Sequence, residues 1–228
     1  MNFNLNAAKA LLGAAVVAGG VIAISQPASA ISFNITAGPT SSVSGVTTVD
    51  FSDGTGTLPA SYTEEGISFT GGGIRTGSLG GQYAAPPGLG NNNPYLTLGG
   101  TSEPSPVTIA LGGLKGYFGL FVSSIDSYNS IEFLKADVRQ ALFGEGGTAL
   151  SPNPTGDQSV GQYYNFFGDN NSDLFDKVVL RSSQAALEVD NIATRAAIPT
   201  PALLPGLIGM GVAAWRKRRG ESAEQAEA

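Results

Sequence analysis

Along the middle of the chain, apolar and polar positions alternate with a period of two. In "SIEF" (130–133), Ile131 and Phe133 share one face and Glu132 takes the other; in "ALEVDNI" (186–192), Leu187 and Val189 oppose Glu188 and Asp190. This period belongs to half-buried strands, because successive side chains leave opposite faces of an extended backbone. Further short segments rich in β-branched and aromatic residues read the same way: "ISFNIT", "VTTVDF", "GISFT", "YLTL", "PVTIAL", "YFGLFV", "VRQALF", "QYYNFF" and "DKVVLRS". The nearest approach to a helix is "EFLKADVRQALF" (132–143), where Phe133, Leu134, Val138, Ala141 and Leu142 partly fit helical spacing. A strand pair broken near Asp137 is the preferred reading. Between the strands lie clusters of turn-forming residues, "DGTGTLP", "GGGIRTGSLGG", "APPGLGNNNP", "GEGG" and "SPNPTGD". About ten short strands so punctuated, with no internal repeat, predict an all-β fold: an antiparallel, jelly-roll-like β-sandwich.

Two terminal segments break this pattern. At the front, Lys9 precedes the apolar run "LLGAAVVAGGVIAI" (11–24), and "QPASA" closes it with Ala28 and Ala30 in small-x-small spacing. That arrangement reads as an export signal peptide over 1–30, cut after Ala30, with an uncleaved anchor as the alternative. The β-domain is then expected over 31–197, long enough to bury a core of its own.

Charge and composition narrow the chemistry. The stretch 31–197 holds 15 acidic and 7 basic residues, a net charge of −8, so no basic stripe exists to neutralise phosphates and nucleic acid is excluded as a partner. The chain has no cysteine and no histidine. Thiolate or imidazole metal sites and Ser-His or Cys-His nucleophiles are thereby removed, and no catalytic residue is assigned. "GGGIRTGSLGG" lacks the Lys-Ser/Thr of a phosphate loop and reads as turns.

Weaker candidates remain. Asp169, Asn171, Asp173 and Asp176 in "GDNNSDLFD" are spaced like the start of a calcium loop, but Leu174 and Leu180 stand where such a loop needs glycine and glutamate. Asp190 paired in space with Asp50 or Asp53 is a second candidate structural calcium site. Otherwise no cofactor or metal is expected. Tyr163 and Tyr164, if exposed, could stack on sugar rings. Glu64 and Glu65, as neighbours on a strand, would point to opposite faces and make a poor glycosidase pair.

The end of the chain, "IPTPALLPGLIGMGVAAWRKRR" (198–219), carries the most specific signal. From Leu203 to Trp215 there is no charge, which makes about 20 Å of helix at ~1.5 Å per residue. A bilayer core is ~30 Å thick, so this is a marginal transmembrane helix. Trp215 suits the interface, and Arg216, Lys217, Arg218 and Arg219 would stay cytoplasmic and extend the span by snorkelling. The remaining "GESAEQAEA" (220–228) is expected to be a disordered tail.

Proline motif, short apolar segment and basic cluster together resemble the C-terminal sorting signals of the PEP-CTERM class. With Pro199, Thr200, Pro201 and Ala202 as the motif, the segment resembles the PTPA-CTERM variant of cyanobacteria. The acidic residue of Pro-Glu-Pro is missing, and nine residues follow the basic cluster. The phrases "GYFGLFVSSIDSYNSIEF", "YYNFFGD", "FDKVVLRSS" and "ALEVDNIA" are similar to segments of cyanobacterial exosortase-dependent surface proteins. These resemblances imply a transient membrane anchor, an exosortase-type membrane protease as partner, and final residence at the cell surface or outside the cell. Three roles follow as expectations. The first is a non-catalytic structural or adhesive surface protein, the second a carbohydrate-binding module acting on exopolysaccharide, and the third a secreted hydrolase.

Overall fold

The alternating segments do become strands. A computed structural model describes residues 31–197 apart from positions 53, 55–60, 102, 151–155, 157 and 160; the expected signal peptide over 1–30, Pro199 to Ala202, Arg216 to Arg219 and the last nine residues lie outside the described residues. The described residues contain no helix and twelve strands. These are β1 (Ser32–Ala37), β2 (Thr47–Val49), β3 (Tyr62–Glu64), β4 (Ile67–Thr70), β5 (Gly73–Arg75), β6 (Tyr95–Leu98), β7 (Val107–Val122), β8 (Asn129–Lys135), β9 (Val138–Gly144), β10 (Gln162–Phe167), β11 (Phe175–Ser182) and β12 (Leu187–Ala196). Every pairing between them is antiparallel.

"PVTIAL" and "YFGLFV" are one strand, β7, that changes partners halfway. Residues 107–110 lie between β4 and β11, while residues 117–122 lie between β10 and β12. Between the halves, Gly112 and Gly113 have φ of 68° and 138°, conformations that glycine adopts without steric cost. The strand bends there and serves two antiparallel groups. One runs β3-β4-β7-β11-β8-β9. The other runs β1-β10-β7-β12, with β2 and the β6-β5 pair sharing the far edge of β12.

Phenylalanines join the two groups. Phe33, Phe118 and Phe166 come from the second group, Phe133, Phe143 and Phe175 from the first. Their rings interlock, with centroids 5.3 Å apart for Phe33–Phe143, 5.8 Å for Phe118–Phe133 and 4.9 Å for Phe133–Phe166. All of these but Phe33 are buried. Offset and edge-on pairs of this kind add about 0.5–1.5 kcal/mol each beyond the area they bury.

The helical alternative over 132–143 is replaced by a tight hairpin. Ala136 and Asp137 both have positive φ, 49° and 64°, the two-residue turn whose twist matches its flanking strands. A second such turn, at Glu65–Gly66, joins β3 to β4. Glu65 is therefore a turn residue, not the strand neighbour of Glu64 expected from sequence.

Candidate functional site

The connection from Thr76 to Pro94 between β5 and β6 is long, rich in Gly, Pro and Asn, and without strands of its own. A connection of that length in a compact domain is uncommon and is often a binding element. Two acidic residues of β12 fasten it. Glu188 Oε1 accepts a hydrogen bond from the Ala84 amide at 2.8 Å, and its Oε2 accepts one from Ser123 Oγ at 2.8 Å. Asp190 Oδ2 accepts from Asn93 Nδ2 at 2.6 Å, and its Oδ1 from the Asn191 amide at 2.7 Å. At the loop's start, the Tyr95 hydroxyl donates to the Gly77 carbonyl at 2.6 Å.

The alternation of "ALEVDNI" is thus correct, yet its polar face does not reach solvent. Glu188 and Asp190 are both fully buried, because the loop lies over them. Burial pushes the Glu188 carboxyl above its usual range, opposed by the bonds from Ala84 and Ser123. Asp190 is pushed up to about 7, first by burial, with the nearby carboxylates of Asp50 and Glu64 adding to it against the bonds from Asn191 and Asn93.

Between this loop and β12 lies an open cleft of about 250 Å³, lined by Ser78, Gly80, Gly81, Gln82, Tyr83, Ala84, Gln158, Ala185, Ala186 and Glu188. The backbone folds back at Leu79, whose amide donates to the Tyr83 carbonyl at 2.9 Å. This places the half-buried Tyr83 on the wall. The Arg75 guanidinium lies 5.7 Å from the centre of the Tyr83 ring. Arg75 is in turn held by Glu103 Oε1 through Nε at 2.9 Å and Nη2 at 2.6 Å. Glu103 Oε2 is buried and has no hydrogen-bond partner among the described residues.

The residues singled out from sequence fall elsewhere. Tyr163 and Tyr164 are buried, which corrects the expectation of exposed sugar-stacking rings. They leave β10 on opposite faces: Tyr164 enters the main core, and Tyr163 a smaller cluster with Tyr117, Phe121 and Ala193 on the outer side of the second group. Val43 and Val46, from the segment after β1, cover that cluster. The Tyr163 hydroxyl donates to the Asn191 carbonyl at 2.9 Å, and Tyr117 to Asn165 Oδ1 at 2.7 Å.

The acidic turn is occupied with its own structure. Asp173 is buried and accepts from Ser172 Oγ at 2.9 Å and from the Asn170 side chain, while Asp176 accepts from the Ala136 amide of the β8–β9 turn at 3.0 Å. Asp190 and Asp50 are brought into one electrostatic neighbourhood, together with Glu64, whose Oε1 takes the Asp50 amide at 3.3 Å. Hydrogen bonds from Ser52 hold Asp50 below the usual carboxylate range. Asp53 lies outside the described residues. Among the described residues no group of three or more acidic side chains is placed to hold a metal ion.

Sequence reasoning missed Tyr83, Arg75 and Glu103. The available signal was Tyr83 itself, a lone aromatic between "GSLGGQ" and "AAPPG", too isolated to belong to a strand. No protein-family model matches the chain, and no curated protein matches it.

Proposed function

We propose that the chain is an exported protein of the cell surface or extracellular matrix, non-catalytic, whose β-domain is a jelly-roll-like sandwich displayed after removal of both terminal segments. The supporting observation is the pattern at the two ends of the sequence: an apolar run closed by Ala28-Ser29-Ala30 before the β-domain, and a proline motif, a short uncharged segment and four consecutive basic residues after it. In this reading an exosortase-type membrane protease acts at Pro199–Ala202 while the apolar segment and Arg216–Arg219 hold the precursor transiently in the membrane. Mass spectrometry of the protein recovered from fractionated cells tests it. The expected product begins at Ile31 and lacks Trp215–Ala228; a mature protein that keeps this tail overturns processing.

A second reading, binding of exopolysaccharide, is favoured by one feature, the open cleft beside Tyr83. Polar groups surround an aromatic wall there, as they do in many small-molecule sites.

A further inference from the structure

We propose that the cleft between the 76–94 loop and β12 is a binding site for a neutral, hydroxyl-rich ligand, a single sugar unit of a polysaccharide, with Tyr83 as its stacking platform. The proposal rests on the exopolysaccharide reading and gives it a place and a chemistry. Four observations carry it.

Tyr83 is half-buried on the cleft wall, so part of its ring meets whatever enters. It is also braced: Arg75 lies over the ring, and the buried Glu103 fixes Arg75 with two hydrogen bonds to one oxygen. An aromatic face held in place by a buried ion pair loses little freedom when a ligand stacks on it, which favours binding. The face opposite Arg75 is the one assigned to the sugar.

The cleft is also shaped for a backbone-close ligand. At Gly80 and Gly81 nothing lies within 4 Å of where a Cβ would sit, so two adjacent peptide units border open space. Gln82 and Gln158 supply amide donors and acceptors on the walls, the equipment that matches hydroxyl groups.

Charge selects a neutral ligand. No lysine or arginine is among the described residues that line the cleft, and Arg75, over the Tyr83 ring, is committed to Glu103. A phosphate, sulfate or uronate would find no counter-charge in a domain of net charge −8. A cation fares no better, since both oxygens of Glu188 on the floor already accept hydrogen bonds.

The loop is anchored at Gly77, Ala84 and Asn93. The wall that carries Tyr83 is thereby set before a ligand arrives.

The test is a glycan array probed with the labelled full chain in detergent, followed by titration calorimetry on retained glycans. Neutral glycans are expected to be retained and acidic ones not. Tyr83→Ala should weaken binding at least about 10-fold, a loss of ~1.4 kcal/mol, while Tyr83→Phe should keep affinity within about 3-fold, since the ring face remains. Gly80→Leu is the independent variant. Gly80 has open space and no left-handed φ, so a side chain there fills the cleft without strain and should abolish binding at an unchanged melting temperature. If glycans bind but both Tyr83→Ala and Gly80→Leu bind like the parent chain, the site is wrong while the exopolysaccharide reading stands. If no glycan is retained at millimolar protein, both fall. Retention of acidic glycans in preference to neutral ones overturns the ligand class.

Discussion

Asp190 shows how a single buried proton can shape the stability of the domain. Its carboxyl titrates near 7 when folded, because water is excluded and Asp50 and Glu64 lie near, whereas an unfolded aspartate titrates near ~3.9. Between those values the folded chain holds a proton that the unfolded chain has released. This contribution is therefore complete below about pH 4 and is lost as pH rises through 7, by an amount on the order of 1–4 kcal/mol. Urea unfolding at pH 5 and pH 8 should show the chain weaker at pH 8, and Asp190→Asn should reduce that difference, leaving the share that the raised Glu188 carboxyl adds in the same direction. An unchanged difference in the variant would assign the dependence to another group. The Tyr163 cluster is the apolar counterpart. Gly119 lies under both tyrosines, and a Cβ there would sit 2.3 Å from the Tyr117 hydroxyl oxygen and 2.6 Å from a Tyr163 ring carbon. Tyr163→Phe should cost about 1 kcal/mol by orphaning the Asn191 carbonyl. Gly119→Ala should cost more, about 2–3 kcal/mol, because neither ring has room to retreat. Denaturant midpoints of the two variants measure both.

At the scale of elements, turn chemistry gives a prediction of the opposite sign. Ala136 opens the β8–β9 turn at φ 49°, where an L side chain costs roughly 1–2 kcal/mol relative to glycine. Its amide still reaches Asp176, so Ala136→Gly keeps that bond. After the extra entropy of an unfolded glycine, of order 0.5–1 kcal/mol, a net gain of up to about 1 kcal/mol is expected. In thermal unfolding this appears as a rise of ~2–4 °C for a domain of this size. The loop from Thr76 to Pro94 behaves differently, since side chains of β12 hold it. Glu188→Ala should leave the strands intact while amide exchange at Ala84 accelerates, and protection confined to its former level would show that Glu188 is no fastener. These elements also show what was legible in advance. Ten of the twelve strands were visible because period-two alternation and aromatic runs need only local sequence. β3 and β5, each three residues long, carry too few positions to show a period. "QYYNFF" does not alternate, since Tyr163 and Tyr164 are adjacent and both buried, one on each face of the strand, and the polar Asn165 is buried with them. The cleft was not legible, because it forms where a loop meets β12 about a hundred residues later, and no local spacing encodes that meeting.

For the whole molecule, β7 decides whether the two groups behave as one body or two. Its first half is the only hydrogen-bonded link between β4 and β11 among the described residues, and its second half plays that part between β10 and β12. The phenylalanine contacts then tie the faces together, with Phe133 touching Phe118, Phe143, Phe166 and Phe175. A domain so connected, without disulfides, has no route by which one group melts and leaves the other its core. The bend at Gly112 makes this testable. A Cβ there would sit 2.7 Å from the Gly66 carbonyl oxygen, and φ of 68° already disfavours any L side chain. Gly112→Val should therefore destabilise by about 2 kcal/mol or more, combining the left-handed cost with the clash against the β3–β4 turn. That site lies at the bend of β7 and packs against the β3–β4 turn of the first group, yet the loss should appear equally in amide exchange of β8 and of β10. Circular dichroism and tyrosine fluorescence should also give coincident unfolding curves. Two separated transitions, with β10 retaining its protection after β8 has lost it, would mean that the halves of β7 fold independently and that the shared phenylalanine core does not couple them.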